Sequence, residues 1–142
     1  MSKLVVDACV AIKWLLPCSP EESDLPQALA LLDQLAQGEI EMYQPPHFIA
    51  EVSGVIARLQ PLYAPRLLVA LLNMEFQRVE SSAIYATACD LAIRLNHHLF
   101  DTLYHAVALH EPNATLITAD RRYYDKARSV GQITLLGDMR FV

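Results

Sequence analysis

Leu4-Val5-Val6-Asp7 near the amino terminus and Ala114-Thr115-Leu116-Ile117-Thr118-Ala119-Asp120 near the other end share one design: a short run rich in apolar and β-branched residues, closed by an acid. Strands buried on both faces have this continuous character, whereas a half-exposed strand alternates. Pro45-Pro46 ends a further extended piece at Glu41-Met42-Tyr43, and Ile133-Thr134-Leu135-Leu136 reads as a last strand. Between them the spacing of apolar residues predicts helices over 10–16, 25–37, 47–59, 65–77, 82–95, 102–109 and 121–130. Gly38 and Gly131 fall where helix C-caps belong, and Pro65 suits a first helical turn. Short strands alternating with helices give an α/β fold, a three-layer α/β/α sandwich around a central parallel sheet.

The 142 residues fit a single domain, 1–142, without repeats or an internal linker. A chain of this size buries roughly 70% of its unfolded surface, so no disulfide or cofactor is needed merely to hold it together. Hydrophobic residues make up 54% and charged residues 19%, which excludes a disordered chain. The apolar run before Asp7 is only three residues long, too short for a secretory core, and the apolar run 67–72 falls far short of a membrane helix, so a cytoplasmic protein without membrane contact is expected. Cys9, Cys18 and Cys89 are odd in number and lack CxxC spacing, and read as buried, reduced thiols. A net charge of -5 argues against a general DNA-coating protein. It leaves room for a nuclease, because bound divalent ions invert the local sign of an acidic site.

Glycine cradles for nucleotide phosphates are missing, and His110-Glu111-Pro112 lacks the second histidine of a zincin. His97-His98 has no third ligand at convincing spacing and reads as a loop or cap. What remains is carboxylate chemistry. Asp7 and Asp120 each follow a strand and precede a helix, and Asp101 stands before the predicted helix 102–109. Any of the three, alone, is equally well a helix N-cap. Together they fall along the carboxyl rim of a parallel sheet, where α/β proteins build their sites. Glu51 lies inside the helix carrying Phe48, Val52, Val55 and Ile56, on the flank of its apolar stripe, where a solvated glutamate is the plainer reading. If the four converge, carboxylates ~5 Å apart repel by roughly 3 kcal/mol per pair at an effective dielectric of 20. Divalent cations offset that repulsion, and oxygen-only ligation favours Mg²⁺ or Mn²⁺ over zinc.

Four stretches, in order, resemble the PIN-domain ribonucleases, and within them the VapC-type toxins of toxin–antitoxin pairs: Val5-Val6-Asp7-Ala8-Cys9-Val10-Ala11-Ile12-Lys13-Trp14, the segment from Pro45 through Glu51-Val52, Asp101-Thr102-Leu103-Tyr104-His105-Ala106-Val107-Ala108, and Leu116-Ile117-Thr118-Ala119-Asp120-Arg121-Arg122. The resemblance implies that Asp7, Glu51, Asp101 and Asp120 are the catalytic, metal-binding set, with the Thr118 hydroxyl in support. It implies an endoribonuclease dependent on Mg²⁺ or Mn²⁺, the toxin of a type II pair, with RNA as substrate, a cognate antitoxin as partner and a homodimer as its assembly. Ser53-Gly54 departs from the asparagine often found in the turn after Glu51, which removes a polar support there. Lys13, Arg121 and Arg122 flank the expected rim and are candidates for RNA phosphates, and Tyr104 and His105 for packing or hydrogen bonding behind the acids. The apolar helix 65–77 reads either as well buried or as a dimer contact. The alternative function is a catalytically inactive PIN-like binding module, against which the retention of all four acids argues. A receiver-type domain needs a second acid beside Asp7, and a dehalogenase-type phosphatase needs an aspartate where Cys9 stands.

Overall fold

In the computed structural model, which describes residues 2–16 and 24–141, five strands form one sheet. In chain order the elements are β1 (Ser2–Val6), α1 (Ala8–Leu15), α2 (Leu25–Ala36), β2 (Ile40–Gln44), α3 (Phe48–Leu59), α4 (Ala64–Leu72), β3 (Gln77–Arg78), α5 (Ser82–Leu95), α6 (Leu99–His110), β4 (Ala114–Thr118), α7 (Arg121–Ala127) and β5 (Ile133–Leu135), with 3₁₀ turns at Arg128–Val130 and Leu136–Asp138. The spatial order is β3-β2-β1-β4-β5 and every pairing is parallel, with Leu4 beside Met42 and Val6 beside Ile117.

Successive side chains of a strand face opposite ways, and here both faces are covered. Val5 and Leu116 pack with Phe48, Val52, Tyr104, Val107 and Tyr123 on one side. Leu4, Val6 and Ile117 pack with Val10, Ala28, Leu31 and Leu136 on the other. That two-sided burial is why the strands read as continuous apolar runs. Trp14 ties α1 to α2 by donating from Nε1 to the Ala28 carbonyl at 2.8 Å.

The chain moves from β1 outward through β2 to β3, then crosses back to place β4 on the other side of β1. Strand order therefore reverses between β1 and β4, leaving a crevice beyond their carboxyl ends. Gln44, fully buried at the end of β2, shapes that end of the sheet. Its side chain accepts from Val6 N at 2.7 Å and donates to Val6 O at 2.8 Å, continuing the ladder where the β2 backbone turns to pair with β3.

Several expectations need correction. The helix predicted over 65–77 stops at Leu72, and Gln77–Arg78 pairs with β2 as a short fifth strand, so Met74 and Phe76 lie in the connection. That helix is not well buried either: Leu71 alone is fully covered, while Leu68, Val69 and Leu72 are exposed. α6 begins at Leu99 rather than at 102, which puts Asp101 inside its first turn and rules it out as the cap. Cys89 is exposed, Cys9 is partly buried, both are free thiols, and Cys18 lies outside the described residues. Gly38 does take a positive φ of 74° just past the end of α2. Among the described residues no helix is long and apolar enough to cross a membrane.

Candidate active site

Asp7 occupies the N-cap position of α1, yet its carboxylate makes no capping hydrogen bond. It turns instead toward β4, where Oδ2 accepts from Thr118 Oγ1 at 3.0 Å. The same hydroxyl accepts from Asp120 N at 3.1 Å, so one threonine aligns both strand ends. Asp120 is a true cap, its Oδ1 accepting from Tyr123 N at 3.1 Å. The cap reading thus fails for Asp7 and Asp101 and holds for Asp120.

Three elements deliver the acids to one place. β1 ends at Asp7, α3 presents Glu51 one turn from its start, and α6 presents Asp101 in its first turn. Carboxylate oxygens of Asp7, Glu51 and Asp101 all lie within 4.8 Å of one another. Asp101 also belongs to a second group, with His97 and Asp120, whose ligand atoms meet the same limit. Asp101 joins the four acids into a continuous cluster over the β1/β4 crevice. Glu51 is accordingly not the freely solvated flank residue of the helix-wheel reading.

Burial and mutual repulsion act together on these groups. Asp7 is 5% exposed, and burial, then the charge of Asp101, push its carboxyl up to about 6; the Thr118 hydroxyl opposes the shift. Glu51 is pushed up to about 7 by burial and then by Asp7 and Asp101. Carboxylates held this way resist ionisation until a cation compensates. Polar support for Glu51 comes from one turn earlier rather than from Ser53-Gly54. His47 Nε2 stands 3.4 Å from Glu51 Oε2 and donates to the Phe100 carbonyl at 2.8 Å. The His47 ring stacks on Phe100, 63% exposed, and lies tilted against Tyr104 with ring centroids 4.6 Å apart.

The residues present fit a divalent cation. Carboxylate oxygens that lie within 4.8 Å of one another, with no cysteine or histidine in the group, can each offer a hard oxygen ligand to one small divalent ion. A second observation agrees: the Tyr104 hydroxyl is buried without a hydrogen-bond partner and feels the charges of Glu51, Asp7 and Asp101, which raise its pKa together with burial. An orphaned hydroxyl beside a carboxylate cluster is the arrangement that hydrated cations satisfy. Asp7, Glu51 and Asp101 would hold the ion, with Asp120 on the far side of Asp101.

The other flagged residues sort differently. His105 is fully buried, its Nε2 donating to the Gly131 carbonyl and its Nδ1 accepting from Tyr123 Oη, both at 2.8 Å, so it packs behind the site. Lys13 is paired with Asp24 at 3.2 Å. Arg121 and Arg122 are exposed at the start of α7. The histidine pair is the main omission of the sequence reading. His98 is the backbone cap of α6, but His97 Nε2 lies 2.8 Å from Asp101 Oδ2. The i, i+4 spacing of His97 and Asp101 was the available signal, hidden because the helix was expected to begin later. Gln44 was missed too, with only its position before Pro45-Pro46 to mark it.

A family model described as PIN domain matches residues 4–129. No curated protein sequence matches the chain. Solved structures of similar fold include FitAB bound to an IR36 DNA fragment, with a TM-score of 0.69 at 16% identity over 97% of this chain and 98% of that one. Another is FitAcB from Neisseria gonorrhoeae, with a TM-score of 0.65 at 19% identity over 96% and 99%. At such identities the likeness is one of fold. The family match runs from β1 into the 3₁₀ turn after α7 and so contains every acid that the crevice gathers; the chain belongs to the PIN domain family.

Proposed function

We propose that this chain is an endoribonuclease that hydrolyses RNA phosphodiesters with Mg²⁺ or Mn²⁺, and that it serves as the toxin of a type II toxin–antitoxin pair. The observation that carries the reading is the convergence of Asp7, Glu51 and Asp101 at the β1/β4 crevice, with Asp120 joined through Asp101. A bound divalent cation supplies Lewis acidity toward a phosphoryl oxygen and lowers the pKa of water. The chain's own residues do the rest. Asp7, Glu51 and Asp101 would hold the cation at the rim, and their oxygen-only donor set favours hard ions. Thr118 keeps Asp7 turned toward β4. Asp120 caps α7 through Oδ1 and stands within ligand distance of Asp101. The Tyr104 hydroxyl, buried and without a hydrogen-bond partner, is left with a donor for a group bound in the site.

Purified protein is expected to cut RNA with Mg²⁺ or Mn²⁺, to stop in EDTA, and to lose activity in Asp7→Asn and Asp101→Asn. Cleavage indifferent to EDTA and to both substitutions would overturn the mechanism. Expression alone is expected to arrest growth, with relief by a co-expressed antitoxin; the likeness in fold to FitAB, solved with a DNA fragment, supports this part of the reading. The exposed apolar residues Leu59, Leu62, Tyr63, Val69 and Leu72 at the end of α3 and along α4 support a homodimer. Light scattering of Leu72→Glu against the unaltered chain tests that, a monomeric unaltered chain at micromolar concentration counting against it.

A further inference from the structure

Beside the acidic cluster, on the Asp120 side, lies a cavity of about 340 Å³ whose lining is of the opposite character. Asn96, His97, His98, Arg122 and Lys126 form its walls, with no acid and no apolar side chain among them. Two permanent cations and two imidazoles at one spot are unexpected by chance on a chain with a net charge of -5. We propose that this pocket binds a backbone phosphate of the RNA strand, adjacent to the phosphate being cut; the inference rests on the ribonuclease reading and extends it to how the strand is held.

Its cations are prepared for an anion. Lys126 Nζ donates to the Asn96 carbonyl at 3.0 Å and stands 3.2 Å from His97 Nδ1, which holds the ammonium in place with a donor left over. Arg122, exposed at the start of α7, makes no ion pair among the described residues, so its planar fork is open to phosphate oxygens. His97 separates the two halves of the site. An imidazole nitrogen facing an ammonium accepts, so Nδ1 is bare and Nε2 carries the proton that it donates to Asp101 Oδ2 at 2.8 Å. In that tautomer His97 turns its lone pair to the Lys126 ammonium and its N–H to Asp101, and so forms the wall between carboxylates and cations. A phosphodiester strand carries a negative charge at every linkage, and a site with a cation-binding half next to an anion-binding half accommodates two successive linkages. An acidic peptide would meet the same cations, but the contiguity of the pocket with Asp101 and Asp120 favours the nucleic acid strand.

The test uses Arg122→Ala and Lys126→Gln, with Arg94→Gln, an exposed cation on α5 paired with Asp90, as control. Binding of a fluorescein-labelled single-stranded oligoribonucleotide is measured by anisotropy in EDTA across a salt series, and cleavage is measured separately with Mg²⁺. Each pocket variant is expected to bind about tenfold more weakly. Each is expected to lower the slope of log K against log salt by about 0.7 per cation removed. The loss is expected to be the same for unrelated RNA sequences, with KM raised and kcat kept, and Arg94→Gln is expected to match the unaltered chain. Pocket variants that bind RNA as the unaltered chain does would overturn the proposal. So would a loss confined to RNA bearing a 5′-terminal phosphate, or a loss confined to a protein partner. If the unaltered chain fails to cut RNA, the ribonuclease reading falls while the anisotropy arm still decides whether the pocket holds a phosphate.

Discussion

Replacing Asp7 by asparagine is expected to make the metal-free protein more stable while abolishing its activity. Asp7 is 5% exposed, and its carboxyl is raised from 3.8 to about 6. The folded state therefore keeps a proton that the unfolded state releases between those values. Stability falls as pH rises through that window and stays low above it. The shift corresponds to about 3 kcal/mol at neutral pH. Asparagine keeps the shape and an acceptor for the Thr118 hydroxyl, and its amide can donate to the neighbouring carboxylates, so most of that penalty is removed. For a domain of this size, about 3 kcal/mol corresponds to a Tm higher by roughly 6–12 °C. Thermal unfolding of both proteins in EDTA is followed from pH 4 to pH 8. The gap is expected to be near zero at pH 4 and to open through pH 6. Saturating Mg²⁺ is expected to close it again, since an ion at 100 times its Kd contributes about 2.7 kcal/mol to the protein that binds it. A variant that melts at or below the unaltered chain at pH 7.5 in EDTA, with a gap that does not change with pH, would refute the reasoning.

Thr118→Val removes the donor to Asp7 and the acceptor for Asp120 N, and is expected to cost about 1–3 kcal/mol in denaturant unfolding. The hydroxyl holds the Asp7 carboxyl down, so its loss should also move the acid limb of the pH–rate profile to higher pH; an unmoved limb would count against Thr118 as the group that orients Asp7. Gln44→Leu leaves the N–H and C=O of Val6 buried and unpaired, which costs about 2–5 kcal/mol for the two groups. Because Asp7 follows Val6 directly, the variant should also bind Mn²⁺ more weakly by titration calorimetry, and unchanged stability would show that water or backbone takes over the ladder.

Much of the architecture was legible in order and kind. The runs at Leu4 and Ala114 carry apolar side chains on both pleat faces because both sheet faces are covered, and local pattern reports that directly. The two-residue β3 was not legible, since Gln77–Arg78 is exposed and carries no hydrophobic signature; its pairing with Tyr43 and Gln44 makes it a strand. The start of α6 was misjudged by three residues because His98 caps it with backbone geometry alone and leaves no side-chain signal.

By itself the sequence determined which acids follow strands, which helix face carries Glu51, and that the ligands available are oxygen ligands. Those are properties of periodicity and residue type, and they survive any arrangement of the elements. Only the tertiary structure decided what each acid does. The Asp120 carboxylate caps α7, whereas the Asp7 carboxylate is turned to the Thr118 hydroxyl on the neighbouring strand. Asp7, Glu51 and Asp101 meet because the strand order reverses between β1 and β4, a fact of long-range pairing. His97 became part of the site through an ammonium 29 residues away in sequence that fixes its proton. Hydrogen-bond partners and burial depend on contacts between segments far apart in the chain, and local pattern does not encode them.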